Sequence, residues 1–97
     1  MSARRSYRLI ATPSYERDVR KLTKRNRQLL SLLRDALRIL ESDPYNHTRQ
    51  HDIEKLTDVP PGEGQWRIRI GDYRIRYDVW GEEVELHSFA HRKDVDR

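Results

Sequence analysis

The chain is predicted to be a small α+β domain, an antiparallel sheet in the order β-α-α-β-β-β packed against an N-terminal antiparallel helical pair. Three observations lead there. Residues 66–70 and 73–79 each alternate apolar with charged side chains on either side of Gly71-Asp72, the pattern of a β-hairpin. Residues 13–40 carry apolar side chains three and four positions apart, in two runs parted by a short polar break. Finally, 97 residues make one domain, 1–97, with room for a single core that helices and sheet must share.

The elements follow in order. Tyr7-Arg8-Leu9-Ile10-Ala11 reads as a short strand, with Tyr7, Leu9 and Ala11 on one face. Thr12-Pro13 then opens a helix, since threonine caps well and proline suits the first helical position, where no N–H is needed. Tyr15, Val19 and Leu22 form its apolar stripe, with Arg17, Arg20, Lys21 and Lys24 around the opposite surface. After a break near Lys24-Arg25-Asn26, Leu29, Leu30, Leu33, Ala36, Leu37 and Leu40 mark a second helix, which Asp43-Pro44 ends. A connection this short makes the two helices an antiparallel pair. Residues 45–64 read as a polar, irregular loop, tethered by Ile53 and Leu56 and long enough to carry function. The hairpin follows, and a turn at Gly81-Glu82-Glu83 leads into a last strand from Val84 to Ala90.

Alternation puts Trp66, Ile68, Ile70, Tyr73, Ile75, Tyr77 and Val79 on one face of the hairpin. Arg67, Arg69, Arg74, Arg76 and Asp78 occupy the other. A half-buried antiparallel sheet ordinarily turns a polar face to water. Four arginines against one carboxylate nonetheless repel across the strands, and a phosphate-bearing ligand would relieve that repulsion.

Hydrophobic residues are only 35% of the chain and charged residues 37%, so the core is thin. There is no cysteine, which excludes disulfides, thiolate metal sites and a cysteine nucleophile. No apolar run suffices for a signal peptide or a membrane span, and a soluble cytoplasmic protein is expected. Residues 1–40 hold eleven Lys/Arg against three acids, a net of +8, while residues 41–97 net −4. The basic first half suits nucleic acid or an acidic protein. Nucleotide-binding loops and zinc-protease motifs are absent, no serine sits in a nucleophile elbow, and His47 with His51 supplies too few ligands for a stable metal site. Neither cofactor nor metal is expected.

Arginine binds phosphate bidentately and stacks on bases, so the arginine face suits RNA. Were RNA cleaved, its 2′-OH would attack the neighbouring phosphate. That reaction needs cations on the phosphorane oxygens, a proton acceptor for the 2′-OH and a donor for the leaving oxygen. Arginine holds its proton too tightly to serve as the acceptor. His91, of the side-chain type that exchanges protons near neutral pH, is the candidate, and a histidine merely bonded at a strand end is the equally weighted alternative.

Pro13 with its basic helix, the string Gly71-Asp72-Tyr73-Arg74-Ile75-Arg76-Tyr77 and the string His91-Arg92-Lys93-Asp94-Val95 together resemble the RelE/ParE toxin superfamily. Within it, the chain is most similar to the RelE-type messenger-RNA interferases of type II toxin–antitoxin systems. The resemblance implies a ribosome-dependent, metal-independent endoribonuclease that cuts messenger RNA in the A site and inhibits translation. The implied partners are the ribosome, messenger RNA and a cognate RelB-like antitoxin held in a hetero-oligomer, with no membrane. Carried over by motif, the phosphate-binding and catalytic positions fall on Arg67, Arg74, His91 and Arg92, and the further RNA-binding positions on Arg69, Arg76 and Lys93. The family string usually continues with a tyrosine where this chain has Asp96. Proton transfer therefore belongs to His91 or to Asp96, or the activity is weak or absent. Two other functions are compatible with the same resemblance: a ParE-like inhibitor of DNA gyrase, and a catalytically inactive module that binds antitoxin.

Overall fold

A computed structural model describes residues 6–95 of the chain. Its elements run β1 (Arg8–Ala11), α1 (Pro13–Arg25), α2 (Leu29–Ser42), β2 (Ile53–Lys55), β3 (Trp66–Ile70), β4 (Tyr73–Trp80), β5 (Glu83–His91) and a single turn of helix, α3 (Arg92–Val95). The strands form one sheet in the order β1-β5-β4-β3-β2. The α+β class and the helices on one face hold. The sheet itself is mixed: β1 pairs parallel with β5, and the other three pairings are antiparallel. A parallel pair needs a long crossover, and here both helices and the central hairpin lie between the two strands in sequence.

Thr12 does two jobs at the start of α1. Its hydroxyl accepts from the Tyr15 N–H at 3.2 Å, capping the helix, and donates to the Leu86 carbonyl at 2.7 Å, which fastens that cap to β5. Helix α1 packs chiefly on β5, while α2 lies against β1 and β3. On α2 the buried positions are Leu29, Leu33, Ala36 and Leu40, a repeat of four and three that brings one stripe onto the sheet. Beneath it Ile68, Ile75, Tyr77, Val84, Leu86 and Phe89 fill the sheet's inner face. The Tyr77 hydroxyl donates to the Pro44 carbonyl at 2.7 Å, so this buried phenol also pins the chain just past α2. Among the described residues no helix is long and apolar enough to cross a membrane.

The segment expected to be irregular contains an edge strand, β2, paired with β3. It also contains a compact turn organised by Asp43. That buried carboxylate accepts from the His47 N–H at 2.7 Å, the Thr48 N–H at 3.2 Å and the Thr48 hydroxyl at 2.7 Å. Burial raises the Asp43 pKa, but these donors outweigh it and hold the group below the ordinary 3.8. A few residues on, the Asn46 side chain bonds both backbone groups of His51, imitating one rung of a ladder.

Strand β5 carries a bulge. Arg76 lies opposite Ser88 and Tyr77 opposite Leu86, so His87 is the extra residue. The bulge switches the alternation of β5. Val84 and Leu86 point to the helices, His87 and Ser88 both point away, and Phe89 returns to the core.

Candidate functional site

The register of β3 and β4 sets Arg67 opposite Arg76 and Arg69 opposite Arg74. All four therefore occupy the sheet face turned away from the helices. Opposed residues of an antiparallel pair hold their Cβ atoms about 4.5–5.5 Å apart, so the block is a compact cationic patch. Its members differ in what they touch. Arg74 is 7% exposed, and its Nη1 donates to the carbonyls of Gly71 at 3.3 Å and Tyr73 at 3.1 Å. These bonds fold the guanidinium back over its own turn. Arg67 donates to the carboxylate of Glu54, its ladder partner on β2. Arg69, with 44% of its side chain exposed, lies 3.7 Å from the same carboxylate oxygen.

Arg76 is engaged otherwise. Its Nε donates to the Gly64 carbonyl at 3.0 Å and its Nη2 to the Glu63 carbonyl at 2.9 Å. Asp78, 2% exposed, accepts from the Gly64 and Gln65 N–H groups at 2.9 and 3.0 Å. Burial raises its pKa, yet the backbone N–H groups of Gln65, Gly64 and Gly62 pull it below the ordinary value. Gly64 is needed for this close approach: its φ is +79°, and an added Cβ would stand 3.0 Å from the Arg76 Cβ. Arg76 and Asp78 thus tie residues 62–65 across one end of the arginine face. The expected RNA-binding role of Arg76 meets a guanidinium already committed to backbone carbonyls.

At the other end the two strings carrying the family resemblance come together. Tyr73 pairs with His91 and Arg74 with Ala90, and the Arg92 N–H donates to the Asp72 carbonyl at 2.7 Å. The small Ala90 shares Arg74's face, which leaves space for the longer side chain. Arg92 Nε stands 3.6 Å from the Asp72 carboxylate, so Arg92 sits at the rim of the patch, with Lys93 exposed beside it on α3.

His91 is not brought to the arginines. Beyond the bulge its side chain falls on the helix side of the sheet, opposite Tyr73. The two rings meet edge to face at 5.1 Å, and Tyr73 in turn stacks on Phe89 at 5.3 Å. The Lys93 N–H donates to His91 Nδ1 at 3.1 Å, a bond that assigns the proton of the neutral ring to Nε2. The strand-end reading of this histidine fits these contacts, and the sheet separates it from Arg67, Arg69 and Arg74. Asp96, the other proton-transfer candidate, lies outside the described residues.

Among the described residues, Glu54 is a carboxylate that does lie among the arginines, and its side chain is 51% exposed. Nothing in its sequence setting distinguished it, because β2 reads as loop and Glu54 becomes a neighbour of Arg67 only through strand pairing. The basic surface of α1 forms a separate feature. Arg17, Arg20, Lys21, Lys24 and Arg25, with Asp18, line an open groove of about 910 Å³. Asp18 faces inward and accepts from the Phe89 N–H at 3.0 Å, on the stretch of β5 that the short strand β1 leaves uncovered.

The family described as "ParE toxin of type II toxin-antitoxin system, parDE" matches residues 9–95. In structure the chain is similar to a chain of the RelB–RelE antitoxin–toxin complex from Methanococcus jannaschii, with a TM-score of 0.62 and 22% sequence identity over 90% of this chain and 94% of that one. That likeness is one of fold. No curated protein matches the chain. The expected RelE/ParE relationship is therefore sound, and the chain belongs to the ParE toxin family of type II toxin–antitoxin systems.

Proposed function

We propose that this toxin cleaves messenger RNA on its arginine face. The observation that carries the reading is the cluster of Arg67, Arg69 and Arg74 around a turn that also contacts Arg92, with the Glu54 carboxylate among them. Arg74, held by two carbonyls in a largely desolvated position, is suited to stabilise charge on a phosphorane, because a preorganised donor needs little rearrangement. Arg67 and Arg69 supply further cations and orient the strand. RNA phosphate would draw these two away from Glu54, freeing the carboxylate beside them to accept the 2′-OH proton. Glu54 thus replaces His91 as the proton acceptor of this scheme. Arg92 would hold a neighbouring phosphate at the rim, and the basic groove of α1 would dock on ribosomal RNA.

The test uses purified protein, a reporter messenger RNA and programmed ribosomes. Glu54→Gln should lower the cleavage rate about 100-fold, in the range usual for loss of an acid–base group. Arg74→Lys, which keeps the charge but loses the planar fork, should lose a comparable factor. Both variants should retain the wild-type far-ultraviolet spectrum. Undiminished cleavage by a folded Glu54→Gln protein would remove Glu54 from the scheme.

A second reading is inhibition of DNA gyrase, which requires no proton acceptor among the arginines. The ParE family match and the position of His91 across the sheet favour it. A supercoiling assay separates the two: gyrase inhibition by protein that leaves ribosome-bound messenger RNA intact would establish the second reading in place of the first.

A further inference from the structure

At the end of the sheet away from the Gly71-Asp72 turn, Asp78 and Glu85 stand directly opposite one another on β4 and β5. Two carboxylates in that relation repel. The bulge at His87 aims an imidazole between them, with Nε2 2.8 Å from Asp78 Oδ2 and 3.1 Å from Glu85 Oε1. The three ligand atoms lie within 4.8 Å of one another. Bulges commonly serve to re-aim a side chain, and this one converts a repulsive carboxylate pair into a convergent triad.

We propose that Asp78, Glu85 and His87 bind a zinc ion. One imidazole and two carboxylates are all zinc ligands, and three protein ligands leave a fourth tetrahedral position for water. With bonds of about 2.0–2.1 Å, tetrahedral zinc sets its ligand atoms about 3.3 Å apart. The two nitrogen–oxygen distances fall short of that by a few tenths of an ångström, and His87 and Glu85, both partly exposed, can open them. Asp78 is already fixed by the Gly64 and Gln65 N–H groups, which orient a ligating carboxylate in the manner of an outer shell. In the hydrogen-bonded arrangement His87 Nε2 faces both carboxylates; zinc binds the neutral ring at that nitrogen, with the ring's one proton on Nδ1. The metal would clamp β4 to β5 and, through Asp78, hold residues 62–65 against the sheet. It takes no part in the proposed RNA chemistry, which is centred on other side chains.

The structure supplies its own reporter. The indole N–H of Trp80 donates to the same Glu85 Oε1 at 3.1 Å, so a cation on that oxygen alters the surroundings of Trp80. Zinc chloride titrated into the full-length protein should change tryptophan emission saturably, and calorimetry should give one ion per chain. At a hundredfold excess over Kd the melting temperature should rise by about 10 °C. His87→Gln and Glu85→Gln should each weaken binding at least tenfold, whereas Trp80→Phe should abolish the optical change and keep the calorimetric one. Hydrogen exchange at the Gly64 and Gln65 amides should slow with zinc. No saturable binding to the wild-type protein would overturn the proposal. So would binding unaffected by either substitution, which would put the ion at other groups such as His47 or His51.

Discussion

Asp43 and Asp78 hold their segments by one device, a buried carboxylate surrounded by N–H and O–H donors, and both have pKa values below the ordinary 3.8. A carboxylate whose pKa is lower folded than unfolded contributes stability that is complete above the unfolded value. That contribution fades as pH falls through the folded value. The urea midpoint should therefore be flat above about pH 5 as far as these two groups are concerned, and should fall as the solution is acidified below 3.8. Asp78→Asn should make the acid limb shallower, and measuring the midpoint against pH for both proteins checks this. Asp78→Ala leaves buried backbone donors without their acceptor and should cost about 3 kcal/mol at pH 7. Tyr77 is the neutral counterpart. Burial pushes its pKa well above 10, and Tyr77→Phe should cost about 1–2 kcal/mol, read by denaturant melting, because the Pro44 carbonyl loses its donor.

At the scale of elements, what is periodic in the chain was legible and what depends on pairing was not. The hairpin around Gly71-Asp72 and the leucines of α2 declare themselves through spacing. Leu40, completely buried, should cost about 3 kcal/mol when cut to alanine, whereas Leu30, exposed on the same helix, should tolerate alanine within about 0.5 kcal/mol. Strand β2 has only three residues, too few to display alternation, so neither it nor the place of Glu54 beside Arg67 could be read from the chain. The parallel pairing of β1 with β5 is likewise a property of topology. His91 is the most instructive case. Unbroken alternation from Val84 would carry it to the arginine face with Glu85. One extra residue at His87 moves it to the other side, against Tyr73, and the local mark of that shift is the pair of consecutive polar residues His87-Ser88 between Leu86 and Phe89, which breaks the alternation. The four arginines themselves were placed correctly on one face, but the commitment of Arg76 to residues 63 and 64 depends on a loop whose path has no periodicity.

Across the whole molecule, charge is divided unevenly along the chain. The excess of positive charge lies in the first forty residues, where α1 carries Arg17, Arg20, Lys21, Lys24 and Arg25 against Glu16 and Asp18, while the arginines of β3 and β4 sit within an otherwise acidic segment, with Arg67 matched locally by Glu54. Helix α1 thus presents a general attraction for polyanions, and the sheet a small site of defined geometry. If α1 docks on ribosomal RNA, ribosome affinity should fall steeply with salt. Substituting alanine at Arg17, Lys21 and Lys24 together should reduce the slope of log K against log salt by about 2–3, as measured by sedimentation with ribosomes. The arginine face should contribute to turnover more than to that slope. Its role is tested most directly by primer extension on a reporter messenger RNA incubated with purified protein, with and without programmed ribosomes. Cleavage at A-site codons that requires ribosomes and is lost in Arg74→Lys is the expected result. Intact messenger RNA from wild-type protein that still arrests growth would contradict it.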